Sequence, residues 1–362
     1  VARHSRAEVS LLSLIALGLA TAHAAEVTDM APGAGVLFGA SYGGSALRGD
    51  LVEQGEVISG RRRVQHDLDI AAELAPVDGF AITLALATTP SLVYRYPEAR
   101  EMIVEPANGE GSYLAGETFA DDPVIKASGL QGVWIGAAAA PFAERYAAGS
   151  SGSTWRLDVA FRPGSKSSNL FTAPKGKRGV APGGSALRFG GAFSSDLGLG
   201  NPYLAFAYQR ESAVELDVVT EDGTEWAKGL ALKPASTLRT RGGVEITAYE
   251  LPDEGTRFAF DLYVGGGYRS WEDVASGVYL PSVLGSSRRI PVTVGDHMTG
   301  LAGLGIDYHV NDNVRGRTGL EFRYHTPFRV EHPYDVRTSG NTWEIGWSFT
   351  VQGLASFLAT DD

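Results

Sequence analysis

Charged side chains at alternating positions are the residues most able to do chemistry in this chain. Asp67, Asp69 and Glu73 share one parity of a run whose other parity holds Val64, Leu68, Ile70, Ala72 and Leu74. Arg156, Asp158 and Arg162 alternate with Trp155, Leu157, Val159 and Phe161, and Arg188 stands between Leu187 and Phe189. Further on come Asp261, Asp307, His309, Arg315, Arg317, Glu321, Arg323, His325 and Glu344. Successive residues of a strand face opposite ways, so this spacing gathers the charges on one surface. Two chemistries fit it. Arg315, Arg317 and Arg323 facing Asp67, Asp69 and Glu73 across a narrow passage would impose a transverse field on small polar or charged solutes. The same groups could instead pair and fill an interior, because a lone buried charge is costly and a paired one is satisfied.

Other chemistries find less support. The chain has 362 residues, Lys+Arg 31 against Asp+Glu 42 and a formal net charge of −11, which argues against a nucleic-acid partner held by phosphate attraction. With Cys 0 there is no disulfide, no thiolate nucleophile and no Cys-ligated metal. The histidines show no metal-ligand spacing, and no P-loop or Gly-x-Ser-x-Gly elbow occurs, so neither a cofactor nor a metal is expected. His66 has the apolar parity, with Ser41 and Ser45 on a neighbouring run. Nucleophilic catalysis needs a base within reach of the hydroxyl and a third group to orient it. No Asp or Asn of matching parity stands near them, so a lipid-modifying enzyme is the minor reading.

The elements that must position these charges are strands. Val64–Leu74 and Phe80–Leu86 alternate around Pro76-Val77-Asp78-Gly79, the pattern of a β-hairpin. The same period recurs to the end of the chain and gives twelve candidate strands: 34–46, 60–75, 80–95, 129–141, 154–163, 185–195, 202–219, 229–251, 257–271, 294–310, 314–326 and 341–351. Ten to fourteen is the range. Short connections near 76–79, 195–201, 252–256 and 311–314 alternate with long polar ones near 97–128, 163–184, 271–294 and 327–339. The connection near 142–153 fits this alternation least. The pair around Glu221-Asp222-Gly223 reads as strands projecting beyond a membrane. Residues 1–24 combine Arg3 and Arg6, a short apolar core and Ala22-His23-Ala24, the pattern of a secretory leader. No later run is long enough for a membrane helix.

An all-β fold with apolar aromatics on one face and mixed charges on the other resembles the bacterial outer-membrane β-barrel proteins over 25–362. The most specific match is Glu344-Ile345-Gly346-Trp347-Ser348-Phe349-Thr350-Val351. It is similar to the polar-x-Gly-x-x-apolar-x-apolar closing strand read by the barrel-assembly machinery, with Glu344, Gly346, Phe349 and Val351 at the marked positions. Members of that class usually stop at this strand, whereas this chain continues to Asp362. The resemblance implies a closed antiparallel transmembrane β-barrel with periplasmic termini, in contact with outer-membrane lipid and lipopolysaccharide. Trp134, Trp155, Trp343, Tyr208, Tyr268 and Tyr324 would then form aromatic girdles. The charged face becomes the lumen of a porin-like channel or, alternatively, of a closed barrel that works through its extracellular loops. In those loops Lys166, Lys175, Lys177 and Arg178 contrast with Glu98, Glu101, Glu105, Glu110, Glu117, Asp121 and Asp122.

Overall fold

Alternation of this kind closes into a cylinder. The computed structural model describes residues from Ala31 to Ser356 apart from 32, 54, 99, 106–111, 119–123, 141–152, 165–178, 181–182, 196, 198–199, 220–224, 252–253, 275–279, 283–284, 291–294, 312, 330–335 and 341. The expected leader therefore lies outside the described residues. Twelve strands form the wall: β1 (Gly35–Glu53), β2 (Glu56–Val77), β3 (Phe80–Arg95), β4 (Val124–Ala139), β5 (Ser153–Arg162), β6 (Ala186–Ser195), β7 (Gly200–Glu211), β8 (Thr237–Leu251), β9 (Thr256–Arg269), β10 (His297–Asn311), β11 (Val314–His325) and β12 (Thr342–Ser356). Each pairs antiparallel with its neighbours in chain order, and β12 returns to β1 from Gly35↔Ser356 to Arg48↔Trp343. Following paired residues once around the wall advances about 14 positions, a stagger that tilts the strands by about 40°. The fold is a closed antiparallel transmembrane barrel.

Side-chain parity is the reason it closes with this face outward. Large apolar residues of every strand stand exposed on the outer surface, Phe38 at 57% and Leu204 at 58% among them. Charged residues of the other parity are buried within. A sandwich would have hidden the aromatics between two sheets. Trp155, Tyr208, Tyr268 and Tyr324 are exposed outward, and Trp343 lies half-buried beside Phe322 on the same face. Trp134 corrects the girdle expectation: it points inward and is 2% exposed, because its neighbour Ile135 takes the lipid side.

The connections divide into a turn end and a loop end. At the turn end Asp78-Gly79 links Val77 to its partner Phe80, Gly79 taking the positive φ that a two-residue hairpin requires. Asn311 Oδ1 accepts from the N–H groups of Asn313 and Val314, both at 2.9 Å, and closes the β10–β11 turn. At the loop end β1 and β2 are longer than expected, 19 and 22 residues. They run on through the stretch between 47 and 59 and stand above β5 and β6, which have 10 each. Segment Val336–Thr338 pairs with the outer end of β1 and covers it.

The segment around 221–223 differs from its expected form. Val214–Val219 and Glu225–Lys233 form a separate small sheet with Asp273–Val274 rather than prolonging β7 and β8. Pro234 has no N–H to give a continuing ladder. Ser212 N instead donates to Ser185 O at 2.8 Å, and the chain leaves the wall there.

Inward glycines let long side chains lie flat against this wall. A Cβ at Gly303 would overlap the Tyr263 ring, and one at Gly305 would sit 2.8 Å from Arg317 Nη2. Gly300 has open space. Gly303→Ala should therefore cost about 1–3 kcal/mol by overpacking, while Gly300→Ala stays within about 0.5 kcal/mol. Urea unfolding of the detergent-folded barrel measures both, and equal midpoints would contradict the packing described.

Candidate functional site: the charged lumen

Carboxylates have short stems and sit at the wall, while guanidinium groups reach past a neighbouring strand to meet them. Towards the turn end, Asp261 of β9 is 1% exposed and accepts from Arg241 Nη2 of β8 at 3.0 Å, from Arg317 of β11 and from Tyr203 OH of β7 at 3.0 Å. Arg317 also holds Asp307 at 3.0 Å. The Arg241 guanidinium lies 3.3 Å from the centroid of the Tyr263 ring. Across a quarter of the circumference, Arg156 of β5 reaches Glu73 of β2 at 2.8 Å and its own neighbour Asp158 at 3.0 Å. Glu73 Oε1 also accepts from the N–H of Ala31 at 3.1 Å. Ala31 is buried against the inward alanines 75, 81, 138 and 140. Arg315 donates to Gln352 Oε1 at 2.6 Å beside a very small cavity shared with His309.

A second set lies nearer the loop end. Glu344 of β12, 0% exposed, accepts from Arg63 of β2 at 2.7 Å, from Arg323 of β11 at 3.3 Å and faces His325 Nε2 at 3.4 Å. Arg323 also binds Glu321. Arg162 pairs with Glu211 at 3.1 Å, and both Arg162 and Arg188 lie over Trp134, with Arg188 at 4.0 Å from the ring centroid. Asp67 accepts from Thr89 at 2.7 Å, Gln65 at 2.8 Å and Gln131 at 3.0 Å. At the rim, burial pushes the Glu272 carboxyl up to about 7 even though Arg269 opposes the shift.

Between these sets, towards the loop end, is a cavity of about 290 Å³. Asp67, Asp69, Arg317, Glu321 and Arg323 line it, together with Arg61, Arg63, Arg239, Arg241 and Arg269. The remaining charges named from sequence, Glu73, Arg156, Asp158, Arg162, Arg188, Asp261, Asp307, Arg315 and Glu344, lie outside that lining, in the networks already described.

The expected face-to-face rows take a different form. β11 and β2 stand a quarter-turn apart, and Arg317 and Arg323 find carboxylates no more than two strands away, where the Coulomb attraction is stronger. The strand diametrically opposite β2 is β8, six strands along either way, and it carries Arg239 and Arg241. These two are absent from the charges expected from sequence, although Leu238-Arg239-Thr240-Arg241 alternates like the rest. Ser41 and Ser45 line the cavity, whereas His66 faces outward with Tyr42 OH at 3.1 Å and Trp347 edge-on. The wall separates those hydroxyls from that imidazole. Among the described residues no group of three or more metal-ligating side chains occurs. The side chains of the acidic and basic loop residues beyond Glu98 lie outside the described residues.

A charged lumen inside an apolar cylinder defines the class: the chain has the fold of the bacterial outer-membrane β-barrels. No family model and no curated protein matches it. Among solved structures it is similar to an outer-membrane channel of Pseudomonas putida F1, at 8% identity and TM-score 0.51, over 90% of this chain and 97% of that one. A FadL homologue of Pseudomonas aeruginosa matches at 9% identity and TM-score 0.40, over 90% of each chain.

Glu344 satisfies two arginines at once, so Glu344→Gln should destabilise the folded barrel by about 3 kcal/mol. Glu344→Gln combined with Arg63→Met should recover part of that loss. Urea midpoints in detergent test this, and an unshifted midpoint for the single variant would contradict the pairing.

Proposed function

We propose that the chain is an outer-membrane channel for small polar or charged solutes, with its turn end in the periplasm and its loops outside. The observation that carries this reading is a cavity into which ten charged side chains are set, in a lumen whose exterior is apolar on every strand. Asp67 and Asp69 on β2 and Arg239 and Arg241 on the opposite strand supply the transverse field. The P. putida protein is named an outer-membrane channel, and its similar fold is compatible with that use. Twelve strands lie between the roughly eight of side-chain-filled barrels and the roughly sixteen of open porins, so passage here is narrow. A cleaved leader at 1–24, assembly through Glu344, Gly346, Phe349 and Val351, and contact with lipopolysaccharide belong to the same proposal.

A closed barrel acting through its loops is the second reading. It draws on the turn-end network of Arg156, Glu73 and Asp158 and on the alanine-lined seat of Ala31, which occupy the lumen below the cavity.

Single-channel recording in planar bilayers separates the two. Discrete ion conductance from the purified barrel is expected, rising in Arg156→Ala as the side chain that crosses a quarter of the wall to Glu73 is removed. A folded wild type without conductance would favour the closed barrel.

A further inference from the structure

Most guanidinium groups in the lumen already have a carboxylate. The cavity is nevertheless lined by seven arginines against three acids, Asp67, Asp69 and Glu321. The carboxylates that neutralise several of these arginines, Glu344, Asp261 and Glu272, are no more than 1% exposed and lie behind them. What faces the space is therefore guanidinium.

Two of the arginines stand out. Arg239 forms no ion pair among the described residues; Arg323 stands near it, and the carboxylates within its field, Glu321 and Glu344, are already engaged by Arg323. Arg61 lies between the rings of Tyr94 and Phe328, at 5.9 and 6.0 Å, and its Nη1 is buried with no hydrogen-bond partner among the described residues. Like charges brought together away from bulk water repel, and a buried donor left unmade costs free energy. Both costs vanish if an oxyanion enters, since a planar guanidinium matches carboxylate or phosphate oxygens two at a time. Asp67 does not compensate, being saturated by Gln65, Thr89 and Gln131. Asp69 stands on the wall opposite Arg239, where it would orient an anion towards β8.

We infer that the loop-end half of the lumen is a binding site for small oxyanions bearing a carboxylate or phosphate group, with Arg239 as its principal contact and Arg61 and Arg323 beside it. The inference rests on the lumen being open to solutes and deepens the channel reading by naming the class of solute. An acidic chain thereby presents a basic passage.

Two measurements test it. In planar bilayers under a salt gradient, the reversal potential of the wild type should report anion over cation preference, reduced at least about twofold in Arg239→Gln and increased in Asp69→Asn. Conductance with cation preference, or a preference indifferent to Arg239, would overturn the inference while leaving the channel intact. Calorimetric titration of the detergent-folded barrel with inorganic phosphate, and separately with succinate, reads the site whether or not the barrel conducts. Binding of either anion, weakened at least about fivefold in Arg239→Gln, supports the site. No binding of either, or equal binding by the variant, overturns it. Among the described residues Arg239 forms no ion pair and lies near Arg323, so its loss should not lower the barrel's unfolding midpoint.

Discussion

Backbone hydrogen bonding within hydrocarbon is the constraint on which everything else here depends. Lipid offers no partner to an N–H or C=O, so a sheet crossing it must close. The pairing of β1 with β12 does this, and it also fixes which way every side chain points. A slip of one residue at the closing seam would turn Glu344 towards lipid and Trp347 into the lumen. Closure and the placement of charge are thus one fact.

Inside the cylinder a different economy holds. Buried ions must find counterions, and their reach decides which ones. Carboxylates stay near the wall, arginines span an intervening strand, and the strand between supplies a small residue at the crossing. Gly303 and Gly305 of β10 lie between Tyr263 and Asp261 on one side and Glu321 and Arg317 on the other. Gly243 of β8 lies beneath the ring of Tyr203, which crosses to Asp261. Glycine content in this chain therefore reflects room for side chains as much as freedom of the backbone.

The division between what was legible in the sequence and what was not follows from the range of each interaction. Side-chain parity is local, with a period of two, so Asp69, Arg156 and Glu344 could be placed on one face from their neighbours alone. Strand number was legible for the same reason. Partner choice depends on the stagger accumulated around the whole wall, and no local pattern encodes it. Parity alone thus sets Arg317 and Arg323 against β2, whereas their counterions are nearer. Trp134 departs from its expected side because an aromatic in an alanine-rich strand carries no sign of its face, and here Ile135 takes the lipid. The alanines at 75, 81 and 138 carry no sequence signal of a role, yet their small size admits the chain at Ala31. The segment at 214–233 kept strand character but lost its place in the wall, since Pro234 interrupts the ladder only when a partner strand is there to be denied an N–H.

The sign of the lumen's loop-end half shows how little overall charge says about local chemistry. A chain with a formal net charge of −11 would be expected to repel anions everywhere. Side-chain length reverses this inside a barrel. An Asp or Glu on the wall keeps its charge close to the backbone, where an arginine from two strands away can cover it and stand on the cavity side of the pair. Each ion pair is neutral as a whole but oriented, negative outward and positive inward. A ring of such pairs gives a solute on the axis a positive surface without any excess of base in the sequence. Arg239, which forms no ion pair among the described residues, adds a net charge to that oriented ring. Selectivity in such a lumen is a property of geometry, set by which member of each pair is longer.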